Sequence, residues 1–294
     1  MQPIVFALPG NETLAKSIAD KLRAEAGQTE IRHFPDGESY VRVVSNVTGK
    51  EVIVVATLHH PDDKLLPLYF LSKLLKELKA TKVILIAPYL AYMRQDERFK
   101  DGEAVTSGYF AKLLSSFLDE IITIDPHLHR RHSMSEIYSV PCKVLHAAPL
   151  ISNYIKENID KPLLIGPDSE SGQWVSEAAK NANAPFIVLG KQRLGDHEVK
   201  VSVPDMAKYK FHTPVLVDDI ISTAHTMIET VQHLKKAGAT PPVCIGVHAV
   251  FSNHAFKALK KSGTKEIITC NTIPHESNRI DISALIATAV HSLK

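Results

Sequence analysis

Short β-branched runs alternate with longer stretches of helical period along the whole chain, and no other feature restricts the fold as tightly. Such alternation marks βα units, whose strands line up in mostly parallel sheets with helices over both faces. Two sets of strands are read from it: 4–8, 40–44, 52–56, 83–87 and 121–125 in the first, and 163–166, 186–190, 199–203, 215–218, 244–249 and 267–270 in the second. Helices fall between them, at 63–79 and 105–118 in the first set and at 172–181, 226–237 and 254–262 in the second. The closing stretch 282–293 is amphipathic and reads as one more helix, able to pack back on the first half.

A chain of 294 residues is long enough for two domains of ordinary size. A small repeat supports two related halves: Glu120-Ile121-Ile122-Thr123 returns as Glu266-Ile267-Ile268-Thr269, about half the chain further on, each ending its strand set. The division expected is an α/β domain over 1–147, a second over 148–281 and a terminal helix over 282–294, each domain having a mostly parallel central sheet flanked by helices. Lysine and arginine number 34 against 32 aspartates and glutamates, so the long-range field with which nucleic-acid binders collect phosphate backbone is missing. The apolar runs are strand-sized, far short of the ~18 residues of a membrane span. With no basic leader at the start, a cytoplasmic protein without membrane or nucleic-acid partners is expected. Cys142, Cys244 and Cys270 are odd in number and far apart, which indicates neither a disulfide framework nor a cysteine-based zinc site.

The strongest local signal is Pro214-Val215-Leu216-Val217-Asp218-Asp219-Ile220-Ile221-Ser222-Thr223-Ala224-His225-Thr226. A hydrophobic strand delivers two carboxylates at its C-terminal end, where open α/β sheets bind ligands. A small, hydroxyl-rich turn then opens a helix, where free backbone N–H groups and the helix dipole favour a phosphate. Paired acids beside an anion cradle suit a phosphorylated sugar, the carboxylates taking hydroxyl hydrogens. The same pair also suits a turn former and helix cap, and spacing alone leaves both readings open.

This segment resembles the ribose-5-phosphate loop shared by phosphoribosyltransferases and by the ribose-phosphate pyrophosphokinases, or phosphoribosyl-pyrophosphate (PRPP) synthetases. Other segments favour the second family. Phe34-Pro35-Asp36-Gly37-Glu38 resembles its adenine-binding loop; Pro88-Tyr89-Leu90-Ala91-Tyr92-Met93-Arg94-Gln95-Asp96 is similar to its Pro-Tyr…Tyr-x-Arg-Gln-Asp segment; Asp125-Pro126-His127 matches its Asp-x-His element. Gly166-Pro167-Asp168 resembles its second metal-site turn and Lys191-Gln192-Arg193 its mobile Lys-x-Arg catalytic loop, so the matches run in family order from residue 34 to residue 226.

The resemblance implies two phosphoribosyltransferase-type domains and transfer of the β,γ-diphosphate of ATP to O1 of ribose 5-phosphate, giving AMP and PRPP. It implies ATP contacts at Phe34, Asp36, Glu38, Arg94, Gln95 and His127, and ribose-5-phosphate contacts at Asp218, Asp219, Ser222, Thr223, Ala224, His225 and Thr226. Lys191 and Arg193 are the implied catalytic cations, and His127 and Asp168 the implied ligands of Mg²⁺. In the family the Phe34 loop reaches the ATP site of an adjacent subunit, which implies a homo-oligomer, a dimer at least and a hexamer in many relatives. A phosphoribosyltransferase that consumes PRPP shares the Asp218-Asp219 loop but leaves the Phe34 and Arg94 segments unexplained. A non-catalytic partner subunit would show oligomerisation without turnover.

Three departures from the family stand out. His225 occupies a place where most members have Gly, so a left-handed backbone at that position would be strained; alternatively His225 joins the sugar phosphate as a donor. Val47-Thr48-Gly49 stands where better-studied members have Val-Arg-Gly, whose Arg helps hold activating phosphate or inhibitory ADP, and weak phosphate activation is expected. Ser169-Glu170-Ser171-Gly172 replaces a His-Gly-Gly type sequence beside Asp168.

Overall fold

The computed structural model describes residues 2–128, 130–166, 172–193, 199–202 and 206–292. The chain forms two compact units, one made of the residues up to Leu145 with Thr272–Pro274 and the residues from Ser283 on, the other of His146–Asn271 with His275–Ile282.

The first unit runs β1 (Ile4–Ala7), α1 (Glu12–Leu22), β2 (Glu25–Ala26), β3 (Thr29–His33), β4 (Ser39–Val43), β5 (Glu51–Val55), α2 (Asp62–Glu77), β6 (Lys82–Ala87), α3 (Thr106–Ser115), β7 (Glu120–Ile124) and β8 (Cys142–Leu145). Six of these strands form one sheet in the order β2-β1-β5-β6-β7-β8, every pair parallel. β5, β6 and β7 lie inside it with helices on both faces, which is why Val52–Val55 and Ile121–Ile124 are continuous apolar or β-branched runs buried on both sides. At roughly 1.5–3 kcal/mol for each large aliphatic side chain removed from water, these runs supply much of the drive for the unit to form.

The second unit repeats the plan. It runs α4 (Ala148–Asn158), β9 (Pro162–Gly166), α5 (Gly172–Ala182), β10 (Phe186–Val188), β11 (Gly190–Arg193), β12 (Val199–Ser202), β13 (Thr213–Ile221), α6 (His225–Lys236), β14 (Val243–Ala249), α7 (Ala255–Lys261), β15 (Glu266–Cys270) and β16 (Asn278–Ile280). Its parallel sheet has the order β10-β9-β13-β14-β15-β16. In each unit the second sheet strand lies outside the first, and the remaining four add on the other side. In each, an antiparallel ribbon, β3–β4 or β11–β12, is inserted between the second and third sheet strands. The two units are thus copies of one topology, and the four-residue echo falls on the equivalent strands β7 and β15.

The structure corrects the sequence reading in three places. β7 and β15 do not end their sheets: β8 and β16 flank them, strands too short and polar to stand out in the alternation. Residues 40–44 do not join the main sheet, because β4 pairs with β3 in the ribbon, and 199–202 likewise pair with β11. The strand that begins at Phe186 stops at Val188, since the chain leaves the sheet there to enter β11.

The last helix, α8 (Ser283–His291), belongs to the first unit and packs on α1, where Ser17 and Ser283 hydroxyls meet at 2.9 Å. Lys143 of β8 donates to the Ala289 carbonyl at 3.0 Å, placing a cation on the negative end of α8. No described helix is long and apolar enough to cross a membrane.

Candidate active site

In both sheets the connections reverse direction between the first and third sheet strands, and in open α/β folds ligands sit beyond the strand C-termini at such a point. In the second unit that place is the end of β9 at Gly166 and the end of β13. Pro167 and Asp168, the expected second metal-site turn, lie outside the described residues, as do Ser169, Glu170 and Ser171.

β13 carries Asp218 and Asp219 as its chain leaves the core, both half-buried between the apolar strand and the surface. The Asp219 N–H donates to Asp218 Oδ1 at 3.0 Å and the Ile220 N–H to Asp219 Oδ1 at 2.8 Å, so each carboxylate is steadied by the peptide that follows it. Asp218 pairs across the ladder with Gly246 of β14. A side chain at Gly246 would have no room: its Cβ would stand 2.6 Å from Ile221 Cγ1 and 2.7 Å from Cδ1. The missing Cβ lets the Ile221 side chain, 1% exposed, fold over β14 and anchor the strand just before the turn begins.

The turn Ser222-Thr223-Ala224 then opens α6. Ala224 takes the left-handed conformation (φ 58°, ψ 11°), and its carbonyl accepts the Ile228 N–H at 2.9 Å, starting the helix. His225 is the first residue of α6 and exposed, with right-handed backbone. The strain expected at His225 is therefore one residue earlier, on buried Ala224, and a β-carbon at 225 costs nothing in backbone energy. Ser222 and Thr226 are half-buried and Thr223 is exposed, which leaves hydroxyls and helix-start N–H groups together beside Asp218 and Asp219.

In the first unit Phe34, Asp36 and Glu38 share the tip of the β3–β4 ribbon. The Phe34 N–H donates to the Glu38 carbonyl at 2.7 Å and the Gly37 N–H to the Phe34 carbonyl at 2.9 Å; Gly37 supplies the positive φ (94°) that closes the turn. Phe34 remains 39% exposed, which leaves a face of its ring available for stacking. Sequence reading missed its support. Arg32 pairs across the ribbon with Tyr40, and its guanidinium stands 4.4 Å from the Tyr40 ring centroid and 4.8 Å from that of Phe34, while the two rings meet edge to face at 5.9 Å. Glu30 accepts from Arg32 Nε at 3.3 Å.

Arg94 and Gln95 lie on the exposed segment between β6 and α3. Gln95 ties that segment to the helix: its carbonyl accepts the Ser107 N–H at 3.3 Å and its side-chain oxygen the Thr106 hydroxyl at 2.5 Å. Tyr92 has positive φ (63°) and donates to Asp62, a hydrogen bond that raises the phenol pKa. Asp96, with its side chain 2% exposed, is paired with Arg130 at 3.1 Å, and Arg130 also reaches Glu97 at 2.9 Å. Arg94 is thus exposed on a segment in which the nearest acids, Asp96 and Glu97, are paired with Arg130. His127 is half-buried in the segment after β7, and His129 lies outside the described residues.

Lys191 and Arg193 were expected in a loop. Their backbone is instead strand, β11, in register with Val201 and Val199 of β12; their side chains are outside the described set, as are residues 194–198. Among the described residues no group of three or more His, Cys, Asp and Glu side chains is gathered to hold a metal.

A family model described as the N-terminal domain of ribose phosphate pyrophosphokinase matches residues 3–117, and one described as a phosphoribosyl transferase domain matches residues 133–284. The chain is similar to the ribose-phosphate pyrophosphokinase of Sulfurisphaera tokodaii, 32% identical over 286 residues that cover 95% of this chain and 96% of that one. It is 33% identical to the protein of the same name from Sulfolobus acidocaldarius, over 289 residues covering 95% and 96%. Among solved structures, phosphoribosylpyrophosphate synthetase from Mycobacterium smegmatis superposes with a TM-score of 0.87 at 26% identity, covering 100% of this chain and 99% of that one.

Proposed function

The chain belongs to the ribose-phosphate pyrophosphokinase family, and from that premise we propose that it transfers the β,γ-diphosphate of ATP to O1 of ribose 5-phosphate. O1 attacks the β-phosphorus, the bond from that phosphorus to the AMP oxygen breaks, and AMP leaves with the electron pair as O1 gives up its proton. The observation that carries the reading is the Asp218-Asp219 strand end running directly into the Ser222–Thr226 turn at the head of α6.

Each residue of that segment has a task fitted to its place. Asp218 and Asp219 accept the ribose hydroxyl hydrogens, their carboxylates aligned in advance by the peptide N–H groups that follow them. The N–H groups at the start of α6, with the Ser222, Thr223 and Thr226 hydroxyls, take the 5-phosphate. His225, exposed on the first turn, adds an imidazole N–H to the same anion; His225→Gly would then weaken ribose 5-phosphate binding. Phe34 stacks on adenine, Asp36 and Glu38 read its edge, and Arg94, Gln95 and His127 hold the rest of ATP.

In-line displacement at phosphorus needs positioning and charge neutralisation rather than a covalent enzyme intermediate. Lys191 and Arg193 supply cations to the moving diphosphate, Arg with its planar fork and Lys as a compact charge. They act when the β11–β12 ribbon closes over ATP, because charges exposed to water neutralise little.

His127 and Asp168 would hold Mg²⁺, whose chemistry is to neutralise and bridge phosphate oxygens. If a single imidazole, half-buried at His127 in the segment after β7, and a single carboxylate were its only protein ligands, most positions would be left to phosphate and water, as this ion prefers. We place the protein in the cytoplasm as a homo-oligomer, at least a dimer. The reading is tested by offering the purified protein either ATP with ribose 5-phosphate or PRPP with a nucleobase. Turnover of the first pair alone supports it. Turnover of the second alone would make the protein a phosphoribosyltransferase, and turnover of neither a non-catalytic subunit.

A further inference from the structure

The β13–β14 ladder ends where Ile221 pairs with Ala249. Beyond it the chain does something costly. The Val250 N–H turns back to the His248 carbonyl at 3.1 Å, and three of the next four residues are left-handed without being glycine: Phe251 (φ 40°, ψ 58°), Asn253 (φ 51°, ψ 47°) and His254 (φ 63°, ψ 18°). Asn and His adopt this conformation more readily than most residues, but for a bulky Phe it is an outlier that persists only where its surroundings hold it. Here the Phe251 ring is wedged against Phe256 at 5.1 Å and His275 at 4.6 Å, with Phe256 and His275 4.7 Å apart. His275 is fixed in turn by the Ser277 N–H, which donates to its Nδ1 at 3.1 Å.

The strained turn delivers two donors to one place. The Phe251 N–H bonds the Ile221 carbonyl at 2.8 Å and the Ser252 N–H bonds the Ser222 carbonyl at 3.2 Å, while the Ser222 and Ser252 hydroxyls lie 3.3 Å apart. The regular β13–β14 pairing itself stops at Ile221 and Ala249, before Ser222. Because a peptide is planar and trans, holding the Ser222 carbonyl on the clamp side turns the Thr223 N–H to the opposite side. The orientation of the loop's first peptide, and so of one of its donors, is set by residues about thirty positions away.

We propose that the strained turn 250–254 is a positioning device for the sugar-phosphate loop, with Phe251 and Ser252 as its working residues. The proposal rests on the reading that 222–226 hold the phosphate of ribose 5-phosphate. Neither residue touches substrate; they act through Ser222 and Thr223.

The test compares the full-length protein with Ser252→Ala, Ser252→Thr and Phe251→Gly, measuring KM for each substrate and the thermal midpoint. Removing one neutral hydrogen bond typically weakens an interaction about two- to tenfold. Ser252→Ala should raise KM for ribose 5-phosphate by that factor and leave KM for ATP in place, and Thr should restore it. Phe251→Gly, which keeps the left-handed turn but removes the wedge, should move the same constant further. A folded Ser252→Ala variant with unchanged KM for ribose 5-phosphate, or with both KM values rising together, overturns the proposal; if Phe251→Gly fails to fold, the Ser252 pair decides. If the unmodified protein shows no turnover, the functional reading has failed separately, and calorimetric titration with ribose 5-phosphate replaces KM. Weaker binding by Ser252→Ala then supports the clamp, while equal binding, or no binding by any form, overturns it.

Discussion

Gly246→Ala is the smallest change that tests how the sugar-phosphate segment is held. The added Cβ would sit 2.6 Å from Ile221 Cγ1 and 2.7 Å from Cδ1, about 1 Å inside the normal carbon–carbon separation. Ile221 is fully packed, so it cannot swing into solvent, and either its rotamer or the β13–β14 spacing must give. Overpacking of this kind costs about 1–3 kcal/mol, which for a protein of this size lowers Tm by roughly 2–12 °C. Since Ile221 directly precedes Ser222, KM for ribose 5-phosphate should rise as well. Thermal unfolding followed by circular dichroism, with steady-state kinetics on the same samples, measures both. Adding Ile221→Ala removes the clashing atoms, so the double variant should be less destabilised than the sum of the two single ones. An unchanged Tm in Gly246→Ala, or strict additivity in the pair, would refute the packing argument.

Arg32→Ala should raise KM for ATP about two- to fivefold, the size of an exposed cation–π contact, and the effect should vanish in a Phe34→Leu background, read by a double-mutant cycle. His59 is half-buried, and burial with the neighbouring Lys64 charge holds its pKa down at about 4, while the Lys64 ammonium lies 3.0 Å from its Nδ1. The unfolded chain therefore binds the extra proton first, and stability should fall as pH drops from about 6.5 toward 4; denaturant titrations at several pH values should show that loss, and His59→Gln should flatten it. At 47–49 the turn between β4 and β5 carries Thr48, whose hydroxyl is bonded to the Leu78 carbonyl at 3.3 Å, in place of a cation. Activity plotted against inorganic phosphate should accordingly show little activation.

Much of this was legible in the sequence because buried parallel strands leave an unmistakable trace. Residues 52–56 and 244–249 were read as strands, and the structure has Glu51–Val55 and Val243–Ala249. What the trace lacks is pairing. Alternation in Ser39–Val43 tells how a strand sits on a surface but not that its neighbour is Thr29–His33, so the ribbon was invisible, and with it the strand character of Lys191–Arg193. The position of the carboxylate pair at 218–219 was legible because two acids closing an apolar run mark where a buried strand leaves the core, although their spacing alone left a turn-forming or capping use open. Arg32 was not, since its meaning depends on facing Tyr40 across the ribbon. Ser252 was hidden further still, because nothing local connects it with Ser222. The strain assigned to His225 belonged to Ala224, a one-residue shift that only the backbone angles reveal.

The most direct test of the central claim follows phosphorus itself. In ³¹P NMR of the purified protein with ATP, Mg²⁺ and ribose 5-phosphate, AMP and a diphosphate attached to C1 of the sugar should grow in equal amounts, and neither should form when the sugar is omitted. ADP with free phosphate, or AMP with free diphosphate whether or not the sugar is present, would contradict it.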